Sequence, residues 1–133
     1  MIQLLDTCIL SLFARGNPAV LGRIKASNPD DIAVSSVTLM EIEYGLALNP
    51  SRARKLRPVL EAFFASVHLV SYAREDARAT AAVRAALRAA GTPIGPYDVM
   101  LAGCALARGL TFVTANTGEF ARVSGLALED WSG

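Results

Sequence analysis

The stretch IAVSSVTLMEIEYGLAL, residues 32–48, decides the fold class of this sequence. Its first part, IAVSSV (32–37), predicts a short strand, and TLMEIEYGLAL (38–48) predicts the helix that follows it. The same order of strand and helix recurs before and after this stretch. Strands that alternate with helices indicate an α/β fold in which a parallel central sheet is flanked by helices.

Four further apolar runs predict the remaining strands. They lie at IQLLD (2–6), VHLVS (67–71), LTFVT (110–114) and, as a short fifth strand, LALED (126–130). Gly and Pro signals end the predicted helices near Gly16-Asn17-Pro18, at Asn49-Pro50, at Gly91 and at Gly109. The basic segment RARKLRPVLEAFFASV continues as a helix with a kink or break at Pro58.

Length and composition predict one domain, residues 1–133, with one core. Hydrophobic residues make up 53% of the chain and charged residues 19%, which excludes disorder and suggests that a partner covers some apolar surface. No apolar run is long enough to span a bilayer, and the start MIQLLDTCIL lacks the features of a signal peptide. We therefore expect a cytoplasmic protein without a membrane segment, in which Cys8 and Cys104 stay reduced and His68 is structural.

The positive charges are mostly arginines, eleven against two lysines, although the net charge is only +1. Arginine binds phosphate in a bidentate way. A helical wheel places four arginines within about a third of the circumference, namely Arg74, Arg78, Arg84 and Arg88. The opposite side carries the apolar stripe Ala79, Val83, Leu87 and Ala90. The basic face is either a solvated helix surface or a contact to a phosphate backbone.

Acidic and polar residues fall where a parallel sheet places its ligands, outside the carboxyl ends of the strands. Asp6 ends the first strand, and Glu41 lies one helical turn after the second. Three polar residues follow the fourth strand directly, namely Thr114, Asn116 and Glu119. Asp98 opens the helix before the fourth strand and reaches the same edge only if the preceding turn folds back. One aspartate at a helix start is an ordinary cap, but this set indicates a site.

An oxygen-only ligand set favours a hard cation. Like charges held together raise one another's pKa unless a cation neutralises them. No His or Cys stands at metal-ligand spacing, so the acidic set indicates Mg²⁺, with Mn²⁺ as the other candidate.

Four segments, in this order, resemble one family of proteins. They are LDTCIL, SSVTLMEIEYG, PIGPYDVMLAGCALARGL and VTANTGEFARVSGLALEDW. The chain resembles a PIN-domain protein from Ile2 to Trp131, and within that family the VapC toxins of bacterial toxin–antitoxin pairs. The resemblance implies a metal-dependent endoribonuclease held inactive by a VapB-like antitoxin. Relatives with the second and third segments cut tRNA in the anticodon loop.

The resemblance also implies how the protein assembles and what each site residue does. Relatives form homodimers and toxin–antitoxin hetero-oligomers, and DNA is bound only through the antitoxin. The family's first Asp is Asp6, its Glu is Glu41 and its second Asp is Asp98, with Asp6 and Asp98 as direct metal ligands. Glu41 would orient water, Glu119 and Asn116 would complete the pocket, and Thr114 would hydrogen bond to Asp6 or a ligand.

Three departures from the family pattern stand out. Cys8 occupies a position that is commonly Asn, and we expect it to be a small buried hydrophobe. Asn116 stands where many PIN proteins have Asp, so Glu119 would supply the missing charge. Glu43 lies roughly 200° around the helix from Glu41, so only one of the two can face the site, and the family register favours Glu41.

Other functions stay open. A haloacid-dehalogenase-type phosphatase also ends its first strand with Asp, but it needs a second Asp where this chain has Cys8. A PIN-like fold can also serve as a binding module without catalysis. A nuclease of the same kind can act on mRNA or single-stranded DNA instead of tRNA.

Overall fold

Five short strands form one sheet in the structure, a computed structural model that describes residues 2–133. The strands are β1 (Gln3–Leu5), β2 (Ile32–Ser35), β3 (His68–Val70), β4 (Thr111–Val113) and β5 (Leu128–Glu129). Their order across the sheet is β3-β2-β1-β4-β5, and every pairing is parallel. The predicted α/β fold is confirmed, with strands shorter than the apolar runs that predicted them.

Seven α-helices connect and follow these strands within residues 2–133. They are α1 (Thr7–Ala14), α2 (Pro18–Ala26), α3 (Ser36–Leu48), α4 (Pro50–Ser66), α5 (Arg74–Ala89), α6 (Pro96–Arg108) and α7 (Thr117–Phe120). A 3₁₀ turn at Pro29–Asp31 precedes β2. None of these helices combines the length and apolar composition that a membrane-spanning segment needs.

Each face of the sheet carries its own core, because neighbouring strand residues point to opposite faces. Leu4 and Phe112 pack with residues of α5, α6 and α7. Leu5 and Val113 pack on the other side with residues of α1, α2, α3 and α4. All four side chains are fully buried, as the interior of a parallel sheet requires.

The segment after Gly16 forms a helix that the sequence analysis missed. Asn17 caps α2 by accepting a hydrogen bond from the backbone N of Val20 (3.1 Å), and Pro18 is the first helical residue. In the sequence, Gly16-Asn17-Pro18 predicts only the end of the preceding helix. The same pair is the start signal of the next helix, because Asn is a good cap and Pro suits the first turn.

Pro58 does not break its helix. α4 continues from Pro50 to Ser66 with Pro58 inside it. A proline removes one helical hydrogen bond, but Leu56, Leu60 and Phe63 pack against the core on both sides of it. Tertiary packing thus keeps the helix continuous, as predicted for this segment; a break at Pro58 is wrong, and a kink there stays a prediction.

α5 and α6 pack as an antiparallel pair. Gly103 lies so close to α5 that a Cβ atom there would be 2.1 Å from Thr80 Oγ1. Nearer the end of α6, Arg108 donates two hydrogen bonds to the fully buried carboxylate of Asp76, at 3.0 and 2.9 Å. Because α6 runs back along α5, the chain before Asp98 folds back as expected.

Candidate active site

Asp6 follows β1 directly and begins α1. Its Oδ1 accepts a hydrogen bond from the backbone N of Ile9 (2.9 Å), which caps the helix. The Thr114 side chain also hydrogen bonds to the carboxylate. Burial is the main reason why the pKa of Asp6 is raised to about 6, and the negative charge of Glu41 raises it further. The hydrogen bonds from Thr114 and Ile9 lower the pKa and offset part of this rise. Asp6 is therefore fixed in orientation and costly to ionise.

The structure places Glu41 and Glu43 on different sides of α3. Thr7 Oγ1 donates a hydrogen bond to Glu41 Oε1 (2.6 Å), and the charge of Glu41 raises the pKa of both Asp6 and Asp98. Glu43 instead forms an exposed ion pair with Arg57 at 2.9 Å. Glu41 is thus the one that lies beside the other carboxylates.

Thr7 is a site residue that the sequence analysis missed. It follows Asp6 in the segment LDTC, which is the only signal that could have found it. Nothing in the sequence pairs Thr7 with a glutamate 34 positions away. That contact exists only because α1 and α3 pack together.

Asp98 lies in the first turn of α6 with Glu119 beside it. The pKa of Asp98 is raised to about 6. Burial is the largest cause, and repulsion from the charges of Glu119, Glu41 and Asp6 adds to it. Glu119 Oε1 accepts a hydrogen bond from the backbone N of Gly95 (3.3 Å). A Cβ atom at Gly95 would lie 3.2 Å from Asp98 Oδ2, so the chain passes the carboxylate closely. These contacts bring the start of α6 and the start of α7 together.

Thr114 and Asn116, at the end of β4, link Asp6 and Glu119 through hydrogen bonds. Thr114 is fully buried, and its Oγ1 accepts a hydrogen bond from the backbone N of Asn116 (3.0 Å) while the side chain also bonds to Asp6. The Asn116 side-chain amide donates to Glu119 Oε2. Asn116 therefore orients Glu119, the carboxylate that the sequence analysis assigned to the missing acidic position.

The carboxylates form an open site rather than a closed cage. Within the described residues, no three His, Cys, Asp or Glu side chains surround a single point closely enough to hold an ion. Mg²⁺ keeps several waters and is usually held by one or two carboxylates, so Asp6 and Asp98 are the candidate pair to hold it. A divalent cation would also offset the repulsion that raises the pKa of both groups.

Cys8 departs from its expected environment. A small buried hydrophobe is expected at this position, but the side chain is exposed. Partial desolvation raises the pKa of the thiol, and the charge of Asp6 raises it further. The prediction is wrong because Cys8 lies in the first turn of α1, whose buried residues are Ile9 and Leu10.

The four arginines of α5 are all exposed, namely Arg74, Arg78, Arg84 and Arg88. Opposite them, Leu87 is buried and Ala79 and Val83 are partly buried, as the helical wheel predicts. Ala90 is exposed, contrary to the prediction, because α5 ends at Ala89. The four arginines thus form two pairs: Arg74 and Arg78 lie near the start of α5, and Arg84 and Arg88 lie near the loop before Asp98.

A groove of about 270 Å³ adjoins the carboxylates between α1, α3 and α4. Thr7 and Glu41 line the end nearest the site, and Ile42, Leu46, Leu56 and Leu60 are among its apolar lining residues. Arg15 and Arg52 also line it. The groove offers an apolar surface that leads directly to Glu41.

A parallel α/β sheet with acidic residues gathered at its carboxyl edge is shared with a known family of nucleases. The PIN domain family matches residues 4–126, and the chain belongs to this family. It is 41% identical over 129 residues, 97% of both chains, to the tRNA(fMet)-specific endonuclease VapC of Shigella flexneri.

Solved structures agree with this assignment. The DNA-bound VapBC structure from Salmonella typhimurium matches with a TM-score of 0.90 and 37% identity, covering 98% of both chains. VapBC2 from Rickettsia felis, bound to a promoter DNA fragment, matches with a TM-score of 0.90 and 26% identity over 98% of this chain and 99% of that one. The family resemblance of the sequence is confirmed, which favours a nuclease over a dehalogenase-type phosphatase.

Proposed function

We propose that this chain is a VapC toxin that cleaves RNA as an Mg²⁺-dependent endoribonuclease. The observation that carries the proposal is the gathering of Asp6, Glu41, Asp98 and Glu119 at the carboxyl edge of a PIN-domain sheet. Burial and mutual repulsion raise the pKa of two of these groups, which is typical of a site that binds a cation.

Each side chain has a defined task in this proposal. Asp6 and Asp98 would hold Mg²⁺, or Mn²⁺, which would supply a water of lowered pKa and a positive charge beside the phosphate. Glu41, fixed by the Thr7 hydroxyl, accepts a hydrogen bond from the attacking water and so orients it. Thr114 keeps Asp6 oriented, and Asn116 and the Gly95 amide keep Glu119 in place.

The proposed substrate is tRNA, cut in the anticodon loop. A relative 41% identical to this chain is named for tRNA(fMet) cleavage. Single-stranded loops expose bases and backbone that a paired stem keeps stacked. The exposed arginines of α5 would contact phosphates without reading the sequence.

The proposed inhibitor is a VapB-like antitoxin that binds the groove between α1, α3 and α4. Structural neighbours are VapBC complexes, two of them bound to DNA. An antitoxin segment with apolar side chains would fill the groove. A cationic side chain at its end, reaching past Glu41, would occupy the place of the metal. DNA would then be bound by the hetero-oligomer through the antitoxin.

Cleavage of purified total tRNA tests the catalytic proposal. We expect fragments ending in the anticodon loop with Mg²⁺, none with EDTA, and none from an Asp98→Asn variant with Mg²⁺. The absence of cleavage of any RNA or DNA with Mg²⁺ or Mn²⁺ would favour a binding module without catalysis. Cleavage of mRNA or single-stranded DNA with intact tRNA would retain the nuclease and change its substrate.

A further inference from the structure

A second cleft lies next to the start of α6 and is not part of the carboxylate site. It has a volume of about 380 Å³ and is walled by the loop between α5 and α6 and by the last turns of α5. Its apolar lining includes Ile94, Pro93 and Pro96. Pro96 is two residues from Asp98 and next to Gly95, whose backbone N bonds to Glu119. The residues that line the cleft therefore flank Gly95 and Asp98 along the chain.

Two arginines complete the lining of this cleft. Arg84 and Arg88 both line it from successive turns of α5. Neither side chain forms an ion pair or a hydrogen bond with any part of residues 2–133. The cleft thus offers two positive charges that have no anionic partner in the described part of the chain, next to an apolar surface. A ligand with both an anionic and an apolar part would complement it.

The loop that forms the cleft is held in place without a ligand. The backbone N of Thr92 donates to Leu87 O (2.9 Å), and Arg122 donates to Pro93 O (3.4 Å). The two prolines restrict the backbone and offer no N–H group, so the wall is apolar as well as rigid. A rigid cleft loses little entropy when a ligand binds.

We propose that this cleft binds one unstacked nucleotide of the RNA next to the phosphate that is cut. The base packs against Ile94 and the two prolines, and the flanking phosphates lie between Arg84 and Arg88. A base offers a flat apolar face that guanidinium planes and apolar side chains both accept, whatever its sequence. The inference rests on the proposed endoribonuclease function and adds a substrate-positioning site to it.

A pair of matched double variants tests the site. Arg84→Gln/Arg88→Gln removes two charges that line the cleft, whereas Arg74→Gln/Arg78→Gln removes two from the same face of α5 outside it. Both variants change the net charge equally, so long-range attraction of RNA falls equally in both. Each is assayed with Mn²⁺ on total tRNA and on bis(p-nitrophenyl) phosphate, a phosphodiester too small to reach both sites.

We expect the cleft variant to lose about tenfold more kcat/KM on tRNA than its control, mostly through KM, because base and phosphate contacts are lost together. Its hydrolysis of bis(p-nitrophenyl) phosphate stays within about twofold of the wild type, since the small ester binds only at the carboxylates. Ile94→Asp produces the same pattern and Ile94→Leu does not. Melting curves by circular dichroism verify that each variant is folded.

Equal losses in the two double variants would overturn the inference, because the cleft would then contribute no more than the rest of the arginine face of α5. A loss on the small ester as well would also overturn it, since the cleft would then only support the acidic site. If the variants lose antitoxin binding but cleave tRNA normally, the cleft binds protein instead. If the wild type hydrolyses neither substrate, the proposed nuclease function itself fails.

Discussion

Asp6 and Asp98 are placed where an ionised side chain is unfavourable. Burial is the largest cause of the raised pKa of each group, and neighbouring carboxylates add to it. A neutral side chain would suit the metal-free fold better. Such positions are typical of functional sites, where binding a ligand requires a charged side chain although the charge destabilises the fold.

The first prediction concerns these two carboxylates as metal ligands. Asp6→Asn and Asp98→Asn each reduce tRNA cleavage at least about 100-fold, because losing a ligand charge removes several kcal/mol of transition-state stabilisation. Single-turnover cleavage at saturating Mg²⁺ measures the effect, with Asp30→Asn, an exposed acid, as the control. A loss below about tenfold in a folded variant would remove that residue from the ligand set.

The second prediction compares the two glutamates of α3. Glu41→Gln impairs cleavage strongly, since Glu41 lies beside Asp6 and Asp98, whereas Glu43→Gln has little effect because it loses only an exposed pair with Arg57. The ratio of kcat/KM values for the two variants measures the difference. Equal losses would show that the two side chains do not differ in role.

The third prediction concerns stability and pH in the absence of divalent ions. Asp6 has a pKa of about 6 in the fold against an ordinary value of 3.8, so the folded state binds more protons and stability falls as pH rises from about 4 to 6. At pH 7 the ionised group costs the fold up to about 3 kcal/mol. Asp6→Asn keeps an N-cap residue and removes this cost.

Urea unfolding in EDTA at pH 4 and pH 7 measures this dependence. Asp6→Asn is expected to be more stable than the wild type at pH 7, with the advantage shrinking toward pH 4. Addition of Mg²⁺ at pH 7 stabilises the wild type and not the variant. A variant less stable than the wild type at both pH values would contradict this account.

At the scale of elements, the α5–α6 pair determines where Asp98 lies. Gly103 allows the two helices to approach closely, and the buried pair of Asp76 with Arg108 links their opposite ends. Removing one partner of such a pair leaves an uncompensated buried charge. The position of Asp98 thus depends on contacts between α5 and α6 that are made by residues outside the acidic site.

The fourth prediction tests this close approach. Gly103→Ala destabilises the protein by about 1–3 kcal/mol or more, because the new Cβ would lie 2.1 Å from Thr80 Oγ1 and 2.7 Å from the Thr80 backbone N. Gly22→Ala on α2 is the matched control: its Cβ meets nothing within 4 Å, so alanine there stabilises by about 0.5–1 kcal/mol. Chemical denaturation gives both values, and equal effects would contradict the packing argument.

At the scale of the whole molecule, an apolar stripe on α3 remains uncovered. It consists of Met40, Tyr44 and Leu48, which are 42%, 64% and 67% exposed and lie one helical turn apart. Contiguous exposed apolar residues mark interaction surfaces. The family resemblance predicts a homodimer, and we expect two copies of the chain to meet at this stripe.

The fifth prediction follows from that surface. Tyr44→Glu/Leu48→Glu converts a dimer to a monomer, because a C2 interface brings each new charge close to its copy. Light scattering coupled to size-exclusion chromatography measures the mass, with Val59→Glu, an exposed apolar residue of α4, as the control. A monomeric wild type, or a variant that stays dimeric, would exclude this surface.

The sequence by itself determined the five strands and most of the helices between them, and it indicated the acidic set at the carboxyl ends of the strands. Apolar runs, glycines and prolines act through local backbone preferences, so most element ends could be predicted within a few residues. It also placed Glu41 rather than Glu43 at the site, from the family register. The same local signals failed at Pro58, where packing on both sides kept α4 continuous.

Only the tertiary structure decided which groups meet across long sequence separations. The bond from Thr7 to Glu41 spans 34 positions, and that from the Gly95 amide to Glu119 spans 24. The cleft beside Asp98 and the raised pKa of Asp6 likewise depend on how the helices pack. The physical reason is that desolvation, repulsion and close packing depend on distances in space, which local residue preferences do not specify.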